Sequence, residues 1–115
     1  MSNVTTGSLL TLVDLAGSEN LRKSAAEGQR LIETASINRS LSTLGFVIQA
    51  LMQNKQHIPY RESKLTKLLQ EALGGSSFTS MICNIYPTLE NSHETMQTLL
   101  FANKCRNVMN QPQIG

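Results

Sequence analysis

The sequence predicts an α/β fold with two main strands and three helices. Three observations lead there. The apolar run Leu9-Leu10-Thr11-Leu12-Val13 ends in Asp14 and a small-residue turn, the pattern of a buried strand. A second run rich in β-forming residues, Phe78 to Tyr86, is closed by Pro87. The remaining apolar residues fall into segments of helical spacing.

Composition sets the bounds. The chain has 115 residues, enough for one domain. Hydrophobic residues make up 40% and charged ones 16%, so a packed core is feasible. Aromatics are only 4%, so the core must be built from Leu, Ile, Val and Met. A net charge of +2 is too small to call for nucleic acid, and no apolar run is long enough for a membrane span. The charge is concentrated: between Lys55 and Lys67 stand Lys55, Arg61, Lys64 and Lys67 against the single acid Glu62, with His57 among them. Cys83 and Cys105 lack metal-site spacing and fit buried thiols of a reducing compartment.

In chain order, Met1 to Gly7 is a polar lead into the strand Ser8 to Val13. Asp14 and Gly17 follow at its edge. A carboxylate there can hold Mg²⁺ directly or through water, and glycine lets a backbone N–H approach a phosphate. The same residues also suit a plain turn capped by Asp. Asn20 to Gly28 is polar, lacks periodicity and reads as a loop. From Gln29 to Gln53, Ile37, Leu41, Leu44, Ile48 and Leu51 recur at spacings of four and three, one apolar helical stripe. Gly45 inside that helix suggests a close contact or tolerance of bending. After Pro59, Leu65, Leu68, Leu69, Ala72 and Leu73 mark a second helix stopped by Gly74-Gly75. Lys64 and Lys67 share one of its faces, which by itself reads as a solvated surface. Phe78 to Tyr86 is the second strand. Asn91 and Glu94 have capping-box spacing for a last helix that runs to about Asn107. His93, beside Glu94 alone, makes a poor metal site.

The string Val13-Asp14-Leu15-Ala16-Gly17-Ser18-Glu19 resembles the switch II motif of kinesin motor domains. Later strings agree in family order. Ile37 to Gly45 resembles the helix that lies on the microtubule, and His57 to Thr66 matches a further signature. Glu94 to Ala102 resembles the last helix of the motor core, and Asn107 to Asn110 the start of the neck linker. The resemblance implies a partial P-loop-NTPase-like fold, with residues 1–108 as the C-terminal part of the motor domain and 109–115 as the beginning of the neck linker, including Val108 and Asn110 at the junction.

Carried over by position, Asp14 binds the Mg²⁺ shell through water, the Gly17 N–H senses the γ-phosphate, and Glu19 is the catalytic candidate, paired with a switch I arginine. Arg22, Lys23, Asn38, Arg39, Lys55, His57, Tyr60, Arg61, Lys64 and Lys67 form the face toward acidic tubulin. The parent motor uses ATP and Mg²⁺ and belongs to the cytoplasm and cytoskeleton. The Gly-x-x-x-x-Gly-Lys-Ser/Thr string and the switch I string are both missing, so the chain reads as lacking the phosphate-loop strand and binding no nucleotide alone. In the family that strand lies between the two predicted here. The expected partners are therefore tubulin and either the missing N-terminal portion or another copy of the chain. Two alternatives stay open: a non-enzymatic microtubule-binding or structural module, and a phosphate switch whose loop comes from another chain.

Overall fold

The computed structural model describes residues 3–17 and 28–112. Three α-helices organise them: α1 (Gln29–Met52), α2 (Lys64–Leu68) and α3 (Ser92–Arg106). Short 3-10 turns at Tyr60–Glu62 and Leu89–Asn91 lead into α2 and α3. All three predicted helices are present, and α1 and α3 have the predicted bounds to within a residue. α2 is regular for five residues and continues as turns, with the Leu73 amide donating to the Leu69 carbonyl at 3.0 Å.

The two predicted strands do not form among the described residues. A strand exists only through hydrogen bonds to a neighbour, and neither segment meets one. Leu9 is 91% exposed and Ile82 87% exposed, so their apolar faces also lack a cover. The α/β expectation is thus corrected for these residues to three helices with two segments that form no strand. The radius of gyration, 17.2 Å, exceeds the roughly 13 Å of a compact domain near this size.

The core sits where the C-terminal half of α1 meets α2 and the end of α3. Leu44, Val47, Ile48 and Leu73 are buried, and Leu51, Tyr60, Leu65, Phe101, Cys105 and Val108 pack around them. The apolar stripe of α1 is therefore buried at Leu44 and Ile48 and half-buried at Leu51, whereas Ile37 near its start remains exposed. In the second helical segment Leu73 is buried but Leu68 faces solvent.

Each helix end has a local cause. α1 stops in a Schellman motif: Asn54 takes a left-handed φ of 49°, its amide donates to Leu51 O at 3.2 Å, and the Lys55 amide donates to Ala50 O at 3.1 Å. Ser63 caps α2 by accepting the Thr66 amide at 3.1 Å. Thr66 is fully buried, and its hydroxyl donates to the Tyr60 carbonyl at 2.6 Å, which ties the 3-10 turn to the helix. Asn91 occupies the N-cap of α3 but its side chain makes no cap bond; it donates to Thr88 Oγ1 at 2.8 Å. Gly45 has open space where a Cβ would stand, so a close contact is not its reason among the described residues.

Candidate functional site

Three groups of predicted site residues separate in the structure. The first lies in the segment 3–17, which joins no helix or strand. Asp14 and Gly17 are both exposed there. Glu19, Arg22 and Lys23 lie outside the described residues. Among the described residues no group of three His, Cys, Asp or Glu side chains could hold a metal ion. One exposed carboxylate and one exposed glycine do not make a cradle for a magnesium nucleotide, so no chemical step follows from them alone.

The second group is spread over α1, the turn after it and α2. Asn38 and Arg39 project from α1, half-buried and exposed respectively. Lys55 and His57 are exposed on the turn after α1, which the Schellman motif sends toward α2. Arg61 sits on the 3-10 turn, and Lys64 and Lys67 on α2; all three are exposed. The 3-10 turn packs on both α1 and α2, so Arg61, Lys64 and Lys67 are carried on elements that pack together. Tyr60 does something different. It is half-buried, and its hydroxyl donates to the Leu73 carbonyl. Burial, with Glu71 nearby, raises its phenol above the ordinary value. Its role here is to close the loop between the 3-10 turn and the end of the α2 segment.

The third predicted group, Val108 and Asn110, follows α3. Val108 packs on the core. Asn110 accepts the Gly74 amide at 2.7 Å and donates to the carbonyls of Ala72 and Ser77 at 2.8 Å each. The Gln111 amide adds a bond to Gly75 O at 2.9 Å. The segment after α3 is thus latched to the loop after α2. Gly74 makes this possible: its φ is +79°, and a Cβ there would lie 2.5 Å from Leu51 Cδ2. Sequence reasoning took Gly74-Gly75 as a helix stop and missed its second role as receptor for Asn110. It also missed the buried Thr66; the Ser63 cap three residues earlier was the available signal.

Beside the latch is an open cavity of about 520 Å³. Ile48, Met81, Cys83, Ala102 and Cys105 are among its walls. Burial, and Cys83 nearby, push the Cys105 thiol up to about 11.

The kinesin motor domain model matches residues 1–108. This chain belongs to the kinesin motor domain family. It is 54% identical over 108 residues to the kinesin-like protein CIN8 of Saccharomyces cerevisiae, covering 94% of this chain and 11% of that protein. It is 52% identical over 106 residues to KIF11 of Mus musculus, 92% of this chain and 10% of that one. To klp-20 of Caenorhabditis elegans it is 55% identical over 107 residues, 92% and 17% respectively. Among solved structures, it superposes on the KIF14 motor dimer in its two-heads-bound state with AMP-PNP and a microtubule. The TM-score is 0.83 at 47% identity, over 89% of this chain and 29% of that chain. The fold neighbour is thus a kinesin motor, although the chain spans only about a tenth to a sixth of the length of these curated relatives.

Proposed function

We propose that this chain supplies the microtubule-gripping and phosphate-sensing part of a kinesin-like motor, whose ATP hydrolysis is coupled to microtubule binding and movement on the cytoskeleton. Residues 1–108 are read as the C-terminal part of the motor domain and 109–115 as the start of the neck linker. The observation that carries the reading is the set of exposed cations, Lys55, Arg61, Lys64 and Lys67, on the turns and helix that follow α1 in a chain of the kinesin family. Tubulin presents an acidic surface, and clustered cations steer and hold such a partner by screened electrostatics.

Asp14, Gly17 and Glu19 are the switch II contribution in this reading. They need a phosphate loop and a switch I, which these 115 residues do not contain. ATP turnover by the chain alone is therefore expected to be absent. Asn110, latched on the loop after α2, is the anchoring point of the neck linker.

Microtubule co-sedimentation across a salt series tests the reading. Binding is expected to weaken steeply as salt rises, and Arg61→Ala and Lys64→Ala are each expected to weaken it and flatten the salt dependence. Salt-independent binding, or no loss in either variant, overturns the electrostatic account.

A further inference from the structure

The polar face of α1 carries one residue that the charge argument does not use. Arg39, Ser42, Phe46, Gln49 and Gln53 recur at alternating spacings of three and four, so at about 3.6 residues per turn they form one stripe. It runs opposite the core-facing residues Leu44, Val47, Ile48 and Leu51. Phe46 is the aromatic in that polar row, and it is 64% exposed. A single exposed apolar side chain is ordinary on a protein surface. Phe46 differs in its surroundings. It forms a wall of an open depression of about 420 Å³ whose other walls include Lys55, His57 and Pro59. An aromatic side chain therefore shares this depression with Lys55 and His57, two of the residues proposed to meet tubulin, and Glu62 is the one acid in the thirteen residues from Lys55 to Lys67.

We propose that Phe46, flanked by Lys55 and His57, is an apolar anchor that the acidic surface of tubulin covers when the chain docks on a microtubule. The inference rests on the reading above and deepens it by dividing the labour within the interface. Cations act at long range and lose strength with salt. A buried aromatic acts only on contact, and the free energy of removing its area from water is insensitive to moderate salt. The depression beside Phe46 gives a protruding side chain of the partner a seat against the ring, while Lys55 and His57 match its carboxylates. Aromatic anchors rimmed by charge are the usual source of concentrated binding energy in interfaces.

The experiment is microtubule co-sedimentation of the full chain and its variants over a salt series. Phe46→Ala is expected to weaken binding about tenfold at every salt concentration, with the slope of log affinity against log salt unchanged. Phe46→Tyr, which keeps the ring, is expected to stay within about twofold of wild type. Lys55→Ala is expected to lower the slope instead. Circular dichroism of each variant is expected to match wild type, because Phe46 lies outside the core. If wild type binds and Phe46→Ala binds equally well, the anchor is refuted while the reading stands. If Phe46→Ala changes the slope as Lys55→Ala does, the apolar role is refuted. If wild type itself does not bind, both fall.

Discussion

Replacing Asn110 by alanine isolates the latch that joins the end of α3 to the loop after α2. The carboxamide accepts one bond, from the Gly74 amide at 2.7 Å, and its two N–H groups serve Ala72 O and Ser77 O at 2.8 Å, with Thr79 Oγ1 sharing at 3.1 Å. Three principal hydrogen bonds at about 1 kcal/mol each set a ceiling of roughly 3 kcal/mol. Asn110 is only half-buried, so water replaces part of what is lost, and the expected cost is about 2 kcal/mol. That corresponds to about thirtyfold in the ratio of latched to unlatched chain. Hydrogen exchange at the Gln111 amide reads this ratio, because its bond to the Gly75 carbonyl survives the substitution and crosses the same junction. In Asn110→Ala it is expected to exchange about thirtyfold faster, while amides in the middle of α1 keep their protection. Unchanged exchange at Gln111 would mean that Val108 packing and the Gln111–Gly75 bond hold the segment, and the account of the latch would be wrong.

Other perturbations have equally definite outcomes. Gly74→Ala is expected to destabilise the fold by about 2–3 kcal/mol in urea unfolding, since it forces an L-residue to φ +79° and drives a methyl against Leu51; a loss under half a kcal/mol would contradict this. Gly45→Ala is expected to stabilise α1 by up to about 1 kcal/mol in the same assay, because open space awaits the methyl. Stability is expected to fall as pH rises from about 9 toward 11: the unfolded chain loses the Cys105 proton near its ordinary value, whereas the folded chain keeps it until about 11, so unfolding releases a proton in that window. The raised Tyr60 phenol acts in the same direction. Cys105→Ser is expected to flatten the decline, and an identical pH profile in that variant would assign it elsewhere.

The parts legible in the sequence were those set by neighbours along the chain. Helical spacing located α1 and α3, because an i, i+3, i+4 stripe and its breakers act within one helix. The family, and with it the strings around Asp14 and Arg61, was equally plain. The strands at Leu9–Val13 and Phe78–Tyr86 were not decided by their own residues. Alternation and β-forming side chains state a preference, but the strand itself is made by a partner's backbone, and none stands beside either segment among the described residues. The stripe of α1 shows the same division within one helix: Ile37 and Ile48 have the same chemistry and register, yet Ile48 is buried in the core and Ile37 is exposed.

What the sequence alone determined, then, is the helical periodicity, the family and the charged character of the Lys55–Lys67 stretch. Tertiary structure decided which apolar residues are buried, that Tyr60 is a structural donor to Leu73, and that Asn110 finds Gly74 across 36 residues of chain. The physical reason is range. Propensity and spacing are local free energies summed along the chain, whereas burial and a hydrogen bond between distant residues depend on which surfaces meet once the helices pack.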